Sequence, residues 1–176
     1  MSRPSRIIGL IVVLFFVGLV GCKREHPESK PAASAGPVIC PINDKSPHLI
    51  GTIMSRDQQQ YLVAKKGEAG FLLFGPYVPL PEGSFKVTFS LRADQGGTRN
   101  VAILDVNAVD PSTKAMRILS SWNIRGDDIA SPDTFRDIAI QFSTKGLAKG
   151  TLYEFRVQSS GESGLWVGQT TVQPAG

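Results

Sequence analysis

Phe85-Lys86-Val87-Thr88-Phe89-Ser90-Leu91-Arg92 is the stretch on which the fold turns. Its apolar side chains fall at every second position and polar ones fill the gaps. Successive side chains of an extended chain point to opposite faces, so a period of two describes a strand with one face in a core and the other toward water. The pattern recurs. Ile138, Ile140 and Phe142 alternate with Asp137, Ala139 and Gln141, and Tyr153, Phe155 and Val157 alternate with Glu154, Arg156 and Gln158. Ala102, Leu104, Val106 and Ala108 form a further apolar face, with Val101 and Ile103 partly covered on the other.

Further strands are expected at residues 48–54, 60–65, 70–77, 116–122 and 165–172. Turn chemistry separates them. Leu80-Pro81-Glu82-Gly83 places Pro second and Gly fourth, which suits a type I turn. Gln95-Gly96-Gly97, Asp110-Pro111-Ser112 and the Ser/Gly-rich residues 159–164 punctuate in the same way. No window carries sustained helical periodicity, and only Ser131-Pro132-Asp133 resembles a helix start, predicting one turn near residues 131–135. Many short strands with regular turns and no internal repeat predict an all-β, antiparallel sandwich.

The front of the chain reads differently. Arg3 and Arg6 precede an apolar run, residues 7–20, interrupted only by Gly9 and Gly18. A basic start followed by a short apolar core is the layout of a secretory signal, and the run is short of the roughly 20 residues a spanning helix needs. Residues 23–37 hold Pro, Ser, Ala and charge but no large apolar side chain. Such a segment cannot bury enough surface to offset its ordering entropy and is expected to be a flexible tether. The expected organisation is a signal peptide at 1–21, a cysteine and disordered linker at 22–44, and a β-sandwich at 45–173.

The sequence has 19 basic and 15 acidic residues, a net charge of +4. Without Arg3 and Arg6, 17 basic residues remain and the net charge is +2. That balance gives no electrostatic case for nucleic acid, which is not expected as a partner. Apart from Cys22 the only cysteine is Cys40. It is expected to be a small buried hydrophobe, with an intermolecular bridge or a modified surface thiol as alternatives.

Leu19-Val20-Gly21-Cys22 resembles a lipobox at all four positions. The resemblance implies that Cys22 carries diacylglycerol, that the chain is cut before it, and that the new amino group is acylated. Two or more acyl chains hold a protein stably at a membrane. Lys23 follows the cysteine and no Asp is there. By likeness to lipoproteins of diderm bacteria, that implies the periplasmic face of the outer membrane.

Phe74-Gly75-Pro76-Tyr77-Val78-Pro79-Leu80-Pro81-Glu82-Gly83-Ser84-Phe85-Lys86-Val87-Thr88-Phe89 carries a second resemblance. It is similar to the opening of galactose-binding-like, carbohydrate-module-like sandwiches. The later blocks Val101-Ala102-Ile103-Leu104-Asp105-Val106, Glu154-Phe155-Arg156-Val157 and Leu165-Trp166-Val167 follow in the same order. Gly168 stands where relatives often carry an acid. The resemblance covers about residues 60–172. It implies a jelly roll and a link to glycans.

Aromatic side chains are the usual platforms for the apolar face of a pyranose ring. Trp122, with Asn123 and Arg125 beside it, unites stacking and hydrogen-bonding groups, and Tyr61 and Tyr77 come next. For Trp122, burial in the core is the alternative. Trp166 reads as a core residue or as cover for one face. Arg92, Asp105, Asn107, Arg156 and Gln158 are expected on strand faces turned from the core. There they form either a polar binding groove or plain solvated surface. Asp105 and Glu154 pair as carboxylates if their strands are neighbours. Asp127, Asp128, Asp133 and Asp137 with Ser131 read as a polar loop rather than a metal site, although calcium uses such loops. No catalytic residue, metal or cofactor is expected. His26 and His48, the only histidines, sit in the tether and at the domain's edge. The expected function is non-catalytic binding of cell-envelope or extracellular polysaccharide. A cell-envelope protein–protein adaptor is the alternative, and a small hydrolase ranks last.

Overall fold

Residues 84–93 form one unbroken strand, and a sheet is built outward from it. The computed structural model describes residues 36–131 and 133–175. The expectations for the signal peptide, Cys22 and most of the tether therefore lie outside the described residues. In chain order the strands are β1 (Val38–Cys40), β2 (Thr52–Arg56), β3 (Gln59–Ala64), β4 (Ala69–Leu73), β5 (Pro76–Pro79), β6 (Ser84–Ala93), β7 (Asn100–Val109) and β8 (Met116–Arg125). A single helical turn, α1 (Gly126–Ile129), precedes β9 (Arg136–Ser143), β10 (Leu152–Ser160) and β11 (Leu165–Pro174).

The strands pair antiparallel in two sheets that face each other as a jelly-roll sandwich, the fold expected from the alternation. The first sheet runs β2-β3-β11-β6-β9, with β1 added on β11. The second runs β4-β10-β7-β8, with β5 added on β10. Phe85, Val87, Phe89 and Leu91 of β6 point inward and are buried, as are Ala102, Leu104, Val106 and Ala108 of β7 and Tyr153, Phe155 and Val157 of β10. Phe142 joins the two layers. Its ring lies 5.8 Å from that of Phe85 and 6.0 Å from that of Phe155.

Several expectations shift at the ends of elements. Residues 48–50 do not extend β2. The amides of Leu49 and Ile50 both donate to the carbonyl of Phe71, and Gly51 turns the chain at φ +81° before Thr52. The single strand expected at 70–77 is two strands, broken at Gly75 with φ +84°. The helical turn comes at Gly126–Ile129, not near 131–135, because Asp128 accepts the Arg125 amide and fixes the start there. Val38–Cys40, counted with the linker in the 22–44 expectation, is a strand paired with residues 170–172 of β11. Cys40 is half-buried and forms no disulfide, and burial pushes its thiol pKa up.

The β2–β3 hairpin closes through Asp57 and Gln58 at φ +52° and +64°. Two consecutive positive φ values are what a two-residue type I′ turn requires, and glycine is the favoured second residue. A glutamine there carries the left-handed penalty that glycine escapes. Gln58→Gly is therefore expected to stabilise the fold by about 0.5–1 kcal/mol, read as a higher Tm by circular dichroism. An unchanged or lower Tm would contradict this reading of the turn.

Candidate functional site

The eight residues singled out from the sequence divide between the sheets. Tyr77, Asp105, Trp122, Asn123, Arg125 and Arg156 belong to the β4/β5-β10-β7-β8 sheet, and Tyr61 and Arg92 to the other. The expectation of one polar groove containing Arg92, Asp105 and Arg156 is thus corrected. Arg92 on β6 lies in a different layer from β7 and β10.

On the outer face of the second sheet, Arg156 is the register partner of Asp105, and Glu154 that of Asn107. Arg156 Nε and Nη2 donate to the two carboxylate oxygens of Asp105 at 2.7 and 3.0 Å. Asn107 Nδ2 donates to Asp105 Oδ1 at 2.6 Å. The Arg156 guanidinium lies over the Phe71 ring at 4.8 Å, with its Nη1 4.0 Å from Glu154 Oε2. The hydrogen bonds to Asp105 raise the Arg156 pKa further.

These groups are not solvated strand surface. Asp105, Asn107 and Glu154 are all buried, and β7 is covered on both faces over much of its length. Asp105 and Glu154 do come together as neighbouring carboxylates. Arg156 is bidentate on Asp105 and 4.0 Å from Glu154, and Asn107 also occupies Asp105, so a single cation faces the two carboxylates.

Tyr77 is the exposed part of this assembly, at 42%. Its hydroxyl donates to Glu154 Oε1 at 3.0 Å. Burial, followed by that hydrogen bond, pushes its phenol pKa up. Its backbone sits at φ +63°. A bulky residue there is a strained outlier costing on the order of 1–3 kcal/mol, and such strain concentrates at functional positions.

At the far edge of the same sheet, Trp122 is opposite Leu104, in the register that faces the core. Yet it is 54% exposed, because β8 is an edge strand and the sandwich opens there toward β9. Trp122, Asn123 and Arg125 line one groove of about 640 Å³ with Asn100, Asp128 and Ile138. Burial of Trp122 in the core is therefore excluded. Tyr77 and Trp122 therefore stand on opposite faces of this sheet, and the Glu154/Arg156 and Asp105/Asn107 rows belong to the face of Tyr77.

The outer face of the first sheet is organised by aromatics. Tyr61 stacks on Phe135 at 4.7 Å and meets Trp166 edge-on at 6.2 Å. Arg92, itself buried, lies 4.1 Å over the Trp166 ring. Asp94 Oδ1 accepts from both Arg92 Nη2 and Trp166 Nε1 at 3.0 Å. Trp166 thus covers the outer face rather than filling the core. Beside the Tyr61–Phe135 stack lies an open cleft of about 710 Å³, floored by Thr88, Ser90 and Gly168.

Sequence reasoning missed Phe135, whose signal is an aromatic inside a polar loop. It also missed the glutamine run 58–60, whose signal is three amides at a hairpin tip. The acids at 127–137 serve separate ends: Asp127 accepts from the Gly97 amide, Asp128 from Arg125, and Asp133 from Arg56. Asp137 lines the cleft. Among the described residues no group of three or more His, Cys, Asp or Glu is placed to hold a metal ion.

No protein-family model matches the sequence, and no curated protein matches it either. Solved structures do match. A CBM4 module is 13% identical with a TM-score of 0.50, over 79% of this chain and 86% of that one. The C-terminal CBM6 of LamC, a marine laminarinase from Zobellia galactanivorans, is 7% identical with a TM-score of 0.49, over 78% and 98%. The xylan-binding module CBM15 is 12% identical with a TM-score of 0.48, over 80% and 98%. CBM denotes a carbohydrate-binding module. At such identities the likeness to the CBM4 structure is one of fold, a two-sheet antiparallel sandwich.

Proposed function

We propose that the domain is a non-catalytic carbohydrate-binding module that holds a saccharide across the outer face of the β4/β5-β10-β7-β8 sheet. The observation that carries this reading is Tyr77. An exposed aromatic is kept at a strained backbone angle while its hydroxyl is tied to the buried Glu154. Ground-state strain at a surface ring is what a preorganised stacking platform looks like. The Arg156–Asp105 pair beside it stiffens the floor. The likeness of fold to a carbohydrate-binding module supports the ligand class. The polysaccharide belongs to the cell envelope or its surroundings. A signal at 1–21 and a lipid on Cys22 deliver the domain there, at the periplasmic face of the outer membrane.

Native electrophoresis of the protein through gels containing xylan, mixed-linkage glucan, laminarin, galactan or polygalacturonate tests the proposal. At least one polysaccharide is expected to retard it, and Tyr77→Ala is expected to weaken that retardation at least ten-fold. Absence of retardation in every gel would overturn the reading. An adaptor reading has one observation in its favour: Met116 and Ile118, like Trp122, are exposed on the edge strand β8. It would gain if the gels were silent and a stoichiometric protein partner were lost on Ile118→Lys.

A further inference from the structure

From the opposite face of the sandwich we infer that the 710 Å³ cleft beside Tyr61 and Phe135 is a second saccharide site, selective for neutral sugars. The inference shares with the proposal above only the class of ligand, since the cleft lies on the other sheet and uses none of the same residues.

Three features carry it. The first is the wall. Tyr61 and Phe135 are stacked at 4.7 Å and each is half-buried, so a rigid aromatic surface is already in place before a ligand arrives. Trp166 edge-on and the Arg92–Asp94 pair behind it fix that wall from the far side. The second is the chemistry of the lining. Ser55, Gln58, Gln59, Gln60, Thr88, Ser90 and Gln169 present hydroxyls and amides. These are the groups that match a polyol as both donor and acceptor. Gln59 and Gln60 are engaged, by Tyr61 and Asp44, whereas the side chains of Gln58 and Gln169 make no hydrogen bond among the described residues. The only charge in the lining is Asp137, and no Lys or Arg is among the residues that form it. A uronic acid or sulfated sugar would meet a lone carboxylate there without a compensating cation, which disfavours it.

The third is shape. A side chain at Gly168 would project against Ser90, with a Cβ 3.3 Å from Ser90 Cβ. Glycine at this point of β11, inside the register shift between Val167 and Thr170, keeps the floor low. Gln58, at the strained hairpin tip, forms part of the rim. Two sites on opposite faces give one domain a grip on two chains, or on two segments of one chain, and avidity rises accordingly.

The test uses the two tryptophans of the sequence as separate reporters. In a Trp122→Phe background, Trp166 is the sole tryptophan and stands 6.2 Å from Tyr61. Cellohexaose, xylohexaose and laminarihexaose are titrated as neutral probes, and hexagalacturonate as the anionic one. A saturable change in Trp166 emission is expected with at least one neutral hexaose, and binding at least five-fold weaker with hexagalacturonate. Tyr77→Ala should leave that change in place. Gln169→Ala, an exposed position whose loss leaves the core intact, should weaken it at least five-fold, and Tyr61→Ala should abolish it.

No response to any neutral hexaose at millimolar concentration would overturn the inference. So would a response that Tyr77→Ala removes and the two cleft variants leave alone. A Trp166 response that survives Tyr77→Ala, in a protein whose gel retardation also survives it, would support the cleft and overturn the Tyr77 site.

Discussion

Arg156→Ala is expected to cost the fold about 3–5 kcal/mol, the range for removing one member of a buried ion pair. The side chains of Arg156 and Asp105 are only 13% and 6% exposed. Alanine would leave Asp105 with Asn107 alone, and Glu154 with Tyr77 alone, both acids still buried. The loss comes chiefly from uncompensated charge rather than from lost packing on Phe71. A companion variant separates the two. The triple variant Asp105→Asn, Glu154→Gln, Arg156→Met removes the cation and both buried acids while keeping similar volumes. It should recover at least half of the deficit, because replacing a whole buried charged cluster is far cheaper than orphaning its acids. Urea unfolding followed by fluorescence reads both. A loss near 1 kcal/mol for Arg156→Ala would mean that water reaches the pair and that the floor of the proposed binding face is softer than described.

Phe89→Ala should be comparably severe, also about 3–5 kcal/mol. Phe89 is fully buried at the middle of β6. Thr170 of β11 and Ile138 of β9 are its register partners on the two sides. The central strand cannot move toward the opposite sheet without breaking both ladders, so the cavity collapses little and the full penalty is expected. The urea midpoint should fall with an unchanged m-value. A change in m would show that the two sheets no longer unfold together. The binding sites lie on outward faces, so any protein still folded should retain its affinity.

The same residue illustrates what could be read in advance. Phe89 belongs to an alternation visible in the bare sequence, and wherever a strand has one wet face and one dry face the alternation named the core side correctly. It failed on β7. Asp105 and Asn107 stand at positions that alternation assigns to water, yet both are buried. The cover comes from neighbours in the sheet: Arg156 laid over Phe71 and the carboxylate beneath Tyr77. Those contacts join residues 51 and 77 positions apart. Local pattern carries no information about them.

Residue type was enough to pick out Tyr61, Tyr77 and Trp122 individually. Their distribution was not legible, because it depends on strand order. Placing β3 beside β11, β11 beside β6 and β6 beside β9 brings Tyr61, Trp166, Arg92 and Phe135 together on one face. The same order separates Tyr61 from Tyr77 by the full thickness of the sandwich.

The pairing of Val38, Ile39 and Cys40 with Val172, Thr171 and Thr170 has a mechanical meaning. Any pull transmitted through the residues before Val38 enters the domain at this three-residue clip. Directed along the strand, such a force loads all the clip's hydrogen bonds at once and meets high resistance. Directed across it, the bonds open one after another at low force. β11 is held by β3 and β6 as well as by the clip, so opening the clip leaves both of those ladders paired.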